Sequence, residues 1–342
     1  MKCMLKPVGE QTIVITGATS GIGLVTARKA ARRGAKLVLF ARNDDALNAL
    51  CDEIRQHGGV AVPVAGDVGN LDDVQRAAAQ AVQTYGGFDT WVNNAGVSIF
   101  GPAAAVPLED QRRLFETNFW GVVHGSLVAS DHFRRDSNLR GGAIINMGSE
   151  ASDAPLPLQS AYVASKHAVK GFTDSLRLEL EADRLPVSVT LIKPAAIDTM
   201  FVMHAKNYMN VEAKLPPPVY DPALVADAIL YAAAHARRTL FVGGAAKFTS
   251  ASAYHAPHLF DRVAAALFSR GQRTQRPARP RDDNALYESR RALHEREGMD
   301  GPVLRGCAYN AVVQRPKIAG ALALGAAALM VAARARSRRA PT

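Results

Sequence analysis

The sequence predicts an α/β fold: a doubly wound parallel sheet with helices on both faces, followed by a helical, basic C-terminal extension. Three observations carry this. Short β-branched or aliphatic runs alternate with helical patterns through residues 11–242. The first run enters a glycine-rich turn that opens a helix, and the fifth ends at Ser149, shortly before a helix bearing Tyr162 and Lys166. Six or seven strands separated by helices make a parallel sheet, because each parallel neighbour needs a long crossover.

The first strand, residues 11–16, leads into Gly17-Ala18-Thr19-Ser20-Gly21-Ile22-Gly23 and the helical pattern of 24–33. Glycines at such a turn allow close approach of a pyrophosphate, and the helix N-terminus offers amide donors and a partial positive charge. The second strand, 36–41, ends at Ala41-Arg42, where an acidic residue would hold a free ribose 2′-hydroxyl. An arginine there favours a 2′-phosphate, hence NADP(H) over NAD(H); the competing reading is a solvated arginine opening the next helix.

A helix over 44–57 and a strand over 60–65 precede Gly66-Asp67-Val68. Asp67 is either a hydrogen-bond partner of adenine or a cap for the helix that begins near Leu71. The fourth strand, 88–92, runs into Asn93-Asn94-Ala95-Gly96, small and amide residues suited to packing beside a cofactor or to making a turn. A long helical region over 108–133 carries Asn118 in an apolar setting, where asparagine is either a satisfied core amide or a site residue.

Ser149 lies 13 residues before Tyr162, at the carboxyl end of the fifth strand, where open α/β sheets bind ligands. Tyr162 and Lys166 are four apart and share a helix face. A cation beside a phenol draws its pKa of about 10 toward the working range. The sixth strand, 187–192, leaves through Lys193-Pro194-Ala195-Ala196-Ile197-Asp198-Thr199, and a Met-rich stretch over 200–220 reads as a lid or as a surface helix. A helix over 222–235 and a strand over 240–242 complete the alternation.

Together these residues resemble the short-chain dehydrogenases/reductases. The resemblance covers residues 11–242 and rests on five motifs in family order: Thr16-Gly17-x-x-x-Gly21-Ile22-Gly23, Asn93-Asn94-Ala95-Gly96, Asn118, Ser149, and Tyr162-x-x-x-Lys166. It implies a Rossmann-type sheet and hydride transfer between nicotinamide and an alcohol or carbonyl carbon. Tyr162 would be the general acid/base, Ser149 would bond the reacting oxygen, Lys166 would depress the Tyr162 pKa and hold the nicotinamide ribose, and Asn118 would position a water in a proton relay. Pro194, Ile197 and Thr199 would line the nicotinamide carboxamide. Where the family usually has Pro-Gly, this chain has Pro194-Ala195, and alanine restricts a backbone that glycine leaves free. The family also implies a homo-oligomer, dimer or tetramer, paired through the helices carrying Asn118 and Tyr162.

The formal net charge of +10 is uneven: residues 271–342 hold 14 Lys and Arg against 6 Asp and Glu, whereas the first 270 hold 27 against 25. The excess belongs to the tail, and no aromatic stacking platform stands beside its arginines, which argues against nucleic acid. Cys3, Cys51 and Cys307 show neither metal nor disulfide spacing, so no metal is expected and a reducing, cytoplasmic setting is. Residues 1–11 lack the apolar core of a signal peptide.

The expected divisions are a catalytic NAD(P)-binding domain over 1–270, a basic Pro-containing linker or extension over 271–317, an apolar helix over 318–334 and a basic tail over 335–342. A further helix is expected over 253–269 and an exposed linker over 271–281. Residues 318–333 form 16 positions without a charge, about 24 Å as a helix, flanked by arginines; this favours membrane association over an oligomer-interface helix or a disordered tail. The substrate class expected is an apolar alcohol or carbonyl compound, and a cofactor-binding protein without turnover is the reading from another class.

Overall fold

The computed structural model describes residues 3–298 and 301–314. The apolar segment over 318–333 lies outside them; among the described residues no helix is long and apolar enough to cross a membrane.

Seven strands form one parallel sheet: β1 (Thr12–Thr16), β2 (Lys36–Ala41), β3 (Val60–Ala65), β4 (Thr90–Asn93), β5 (Gly142–Met147), β6 (Val187–Pro194) and β7 (Thr239–Val242). Their order across the sheet is β7-β6-β5-β4-β1-β2-β3, and every pairing is parallel. The order reverses between β1 and β4, which opens a crevice beyond their carboxyl ends. The central strands read as unbroken apolar runs because both faces are covered: Ile13, Val14 and Ile15 are all fully buried. Each such side chain contributes about 1.5–3 kcal/mol of burial.

The covering helices are α1 (Gly21–Arg32), α2 (Asp44–Gln56), α3 (Leu71–Tyr85), α4 (Leu108–Phe115), α5 (Gly121–Arg135), α6 (Ser160–Ala182), a single turn α7 (Phe201–His204) and α8 (Pro222–Ala234). The expected starts of α2, α3 and α8 have physical causes. Asn43, Asn70 and Asp221 cap them by accepting from the amides of Ala46, Asp72 and Ala223.

Three regions differ from the sequence expectation. The long helix over 108–133 is interrupted by a π-helical turn, Glu116–Trp120, which carries Asn118; such bulges occur often at functional sites. The helix expected over 253–269 is two helices, α9 (Gly244–His255) and α10 (Pro257–Gly271), because Pro257 cannot continue α9 and starts a new helix instead. The stretch 271–281 is not a free linker: Arg273–Pro277 pairs antiparallel with Val211–Ala213 from the expected lid. From there residues 285–296 run back over the carboxyl ends of β1 and β2, with Leu286 fully buried.

Candidate active site

The crevice beyond the strand ends is lined by the turn Gly17 to Ile22, by Arg42, Asp67 and Val68, by Asn94 to Gly96, and by Ser149, Tyr162 and Lys166. Pro194, Ile197 and Thr199 line it as well. All the sequence candidates except Gly23 and the buried Asn118 thus line one cavity.

The glycine turn is tight. Gly17 has φ +66°, and a Cβ there would lie 2.8 Å from the Cα of Ala95. A Cβ on Gly23 would meet the Gly17 carbonyl oxygen at 2.1 Å, so α1 packs directly on the turn. Asn94 braces it, donating through Nδ2 to the carbonyls of Thr16 (2.9 Å) and Gly17 (3.2 Å). The amides of Ile22 and Gly23 at the head of α1 have no backbone partner among the described residues, so the cradle suits a pyrophosphate.

On the opposite wall, Ser149 caps the short turn Glu150–Ser152: its hydroxyl accepts from the Ala151 amide at 3.1 Å, and the Ser152 hydroxyl accepts from the Ser149 amide at 3.1 Å. This reciprocal cap fixes the Ser149 hydroxyl, which also hydrogen-bonds the Tyr162 phenol. Tyr162 and Lys166 occupy one face of α6, with Lys166 Nζ 5.7 Å from the phenol ring centroid. That ammonium donates to the Met147 carbonyl at the end of β5 (2.8 Å). Phe201 of α7 meets the Tyr162 ring edge-on at 5.3 Å between centroids.

The electrostatics differ from the expectation that Lys166 depresses the Tyr162 pKa. Burial pushes the phenol up to about 12; the Ser149 hydrogen bond draws it down and the nearby Glu150 charge raises it, while Lys166 makes no resolved contribution. Burial also brings Lys166 down, to about 8, so it still carries its charge at neutral pH.

Asn118 is fully buried, and its side chain is committed: Oδ1 accepts from the Val97 amide (2.8 Å), and Nδ2 donates to the Val97 carbonyl (2.9 Å) and the Ser165 hydroxyl (3.2 Å). It ties the π turn to the β4 exit and to α6. Asp67 is committed too. One carboxylate oxygen accepts from the Gly69 amide at 2.9 Å and the other pairs with Arg113. Arg42 departs furthest from expectation, donating to the carbonyls of Ala285 (2.7 Å), Leu286 (3.2 Å) and Tyr287 (2.9 Å). Ala195 is not among the residues with positive φ, and its amide donates to Val242 at 2.9 Å, so alanine is accommodated.

Several residues on this site were not signalled by sequence. Glu150, beside Ser149, has a carboxyl raised to about 7 by burial and eased by a hydrogen bond from Thr249 of α9. Only its adjacency to Ser149 could have marked it. Burial brings the His204 imidazole down to about 4, and its buried Nε2 has no hydrogen-bond partner among the described residues. Asn146, which the sequence did not mark, forms a buried amide pair (2.8 Å) under the strand ends with Asn93 of the Asn93–Gly96 motif, extended by Ser126 and Thr173. Among the described residues no cluster of His, Cys, Asp or Glu could hold a metal ion.

A family model described as short chain dehydrogenase matches residues 11–209. The chain is 44% identical over 338 residues to the uncharacterized oxidoreductase YxnA of Bacillus subtilis, covering 98% of this chain and 94% of that one. It is 34% identical to 11-beta-hydroxysteroid dehydrogenase-like 3 of Arabidopsis thaliana, over 56% of this chain and 60% of that one. A short-chain type dehydrogenase/reductase from Mycobacterium marinum superimposes with a TM-score of 0.61 at 27% identity, covering 70% of this chain and 96% of that one. The alcohol dehydrogenase of Thermococcus sibiricus, solved with 5-hydroxy-NADP, gives 0.59 at 25% identity, over 68% and 95%.

Proposed function

Because the chain belongs to the short-chain dehydrogenase family of oxidoreductases, we propose that it interconverts an alcohol and the corresponding carbonyl compound, foremost a secondary alcohol and its ketone, with NADP(H). The observation that carries this is the convergence of Ser149, Tyr162 and Lys166 on the cavity that the glycine turn also lines. The open amides of Ile22 and Gly23 and the close-packed glycines fit a dinucleotide. When bound, its nicotinamide supplies or accepts the hydride.

Tyr162 is the general acid/base. The phenol, raised by burial to about 12, is protonated at neutral pH and so holds the proton that a carbonyl oxygen takes on reduction. Ser149 holds that oxygen with a hydroxyl already fixed by its cap. Lys166 holds the ribose and supplies positive charge as phenolate character develops. Asn118 acts as the positioning residue that ties the π turn to α6, and a water beside it would complete the relay. The reacting end of the cavity is walled by Leu156, Met200, Phe201, Leu215 and Pro216; such a wall favours an apolar substrate. Exposed Leu108, Trp120, Leu127 and Leu178 on α4 to α6 and the π turn support pairing of two copies there.

The test is Tyr162→Phe. Turnover in both directions should fall about 10²- to 10⁴-fold, while NADPH affinity from fluorescence titration stays within about twofold. A variant that retains turnover removes Tyr162 from the mechanism. A wild type that binds cofactor yet turns over no alcohol or carbonyl compound would favour a binding protein.

A further inference from the structure

We propose that residues 285–296 form a working wall of the cofactor site, and that Arg290 on this strap recognises the ribose 2′-phosphate of NADP(H), with Arg42 as a positioning residue. This rests on the NADP(H) reading above. Arg42 is where sequence places the phosphate-binding cation, but its guanidinium is taken up by three carbonyls of the strap.

The strap has a second anchor on the glycine turn itself. The Leu293 amide donates to the Thr19 carbonyl (2.7 Å), and the Gly21 amide donates to the His294 carbonyl (3.0 Å). Outside these bonds, Glu295 pairs with Arg28 at 2.7 Å and Arg296 pairs with Asp221. Residues 288–292 therefore bridge from the end of β2 to the head of α1. In a dinucleotide-binding crevice that is the span of the adenosine ribose, between the residue after β2 and the phosphate turn.

Ser289, Arg290 and Ala292 line the cavity on this bridge. Arg291 is engaged with Asp283 at 2.5 Å. Arg290 is exposed, and no described residue pairs with its guanidinium. Thr19 and Ser20, which line the same cavity, carry hydroxyls that no described residue engages. A free guanidinium with two unengaged hydroxyls is a phosphate-binding set, separate from the Ile22 and Gly23 amides that face the pyrophosphate.

A strap that merely plugged the site would consume those groups. This one takes only the Gly21 amide and leaves the next two open.

The experiment is fluorescence titration of NADPH and NADH against the full chain as wild type, Arg290→Gln, Arg290→Lys and Arg42→Gln, with circular dichroism on each to verify folding. Arg290 is exposed, so its substitution leaves the fold intact. Arg290→Gln should weaken NADPH by roughly 10- to 100-fold, as expected for loss of a charge-assisted phosphate contact. NADH should stay within about twofold, Arg290→Lys should restore part of the preference, and raising salt should narrow the gap between cofactors. Arg42→Gln should weaken both cofactors, because it releases the strap.

An Arg290→Gln protein that keeps its NADPH preference overturns the proposal. So does an Arg42→Gln protein that binds both cofactors more tightly, since the strap would then be an obstruction. A wild type without NADPH preference overturns the NADP(H) reading itself and takes this inference with it, a result visible before any variant is made.

Discussion

The sheet core and the C-terminal extension beyond β7, which comprises α9, α10 and the described residues after them, are held together by different forces. The bulkiest fully buried side chains, among them Trp91, Phe40 and Phe133, belong to the core. The extension buries little: α10 encloses Phe260 and Ala264 but leaves Leu259, Val263 and Leu267 exposed, and the strap encloses Ala285 and Leu286. Apart from Leu286, packed with Val97, Leu114 and Tyr162, and Phe260 and Ala264, packed on Ala154, its attachments are polar. Arg42 holds three carbonyls, two backbone bonds reach the glycine turn, and Asn310 bonds Gly243 (2.9 Å) and Phe241 (3.1 Å). Burial scales with area and resists water everywhere, whereas a hydrogen bond exchanged with water nets about 0.5–1.5 kcal/mol. The core should therefore unfold as a unit, with the extension opening below it.

The sharpest way to break this contrast is one chemical change made in both regions. Leu39→Ala in β2 removes a fully buried side chain and should cost about 2–5 kcal/mol of global stability. Leu286→Ala removes one equally buried. It should shift the global denaturation midpoint by less than about 1 kcal/mol, while hydrogen exchange over 285–296 accelerates. Equal costs would show that strap and core unfold together.

Glu150 sits on the seam, bonded to Thr249 of the extension. Its folded carboxyl titrates near 7, above the 4.5 of an ordinary glutamate. The folded state thus holds this proton where the unfolded chain has released it, and stability falls as pH rises from about 4.5 to about 7. Glu150→Gln should flatten that slope, so that between pH ~5 and pH ~8 the variant loses roughly 2–3 kcal/mol less than wild type. Urea titrations at the two pH values measure it. The same substitution removes a charge that holds the Tyr162 phenol up, so the acidic group in the pH–rate profile should move down. An unchanged slope would mean that water reaches the carboxyl and that the seam is open.

The contrast also explains what was legible in the sequence. Strands β1 to β7 were visible because burial writes a residue pattern, apolar runs punctuated by glycine. The positions of Ser149, Tyr162 and Lys166 followed from strand ends and helix period. The partners of Arg42 were not legible, since a backbone carbonyl exists at every position and leaves no mark on composition. The π turn at Asn118 was hidden for a similar reason: α4 and α5 keep a helical pattern on both sides of it. The Tyr162 pKa depends on how dry the finished cavity is, which no spacing records.

Ala195 gives the smallest effect and tests the family pattern directly. A motif-based reading says that alanine strains the turn after β6 and that Ala195→Gly should relieve it. The structure gives Ala195 no positive φ and a regular bond to Val242. Glycine there would only enlarge the unfolded ensemble, so Ala195→Gly should cost about 0.5–1 kcal/mol in a denaturant titration. NADPH affinity should not improve. A more stable variant, or one that binds cofactor several-fold tighter, would mean that the β6 exit is strained after all and that the core carries a local cost its burial pattern conceals.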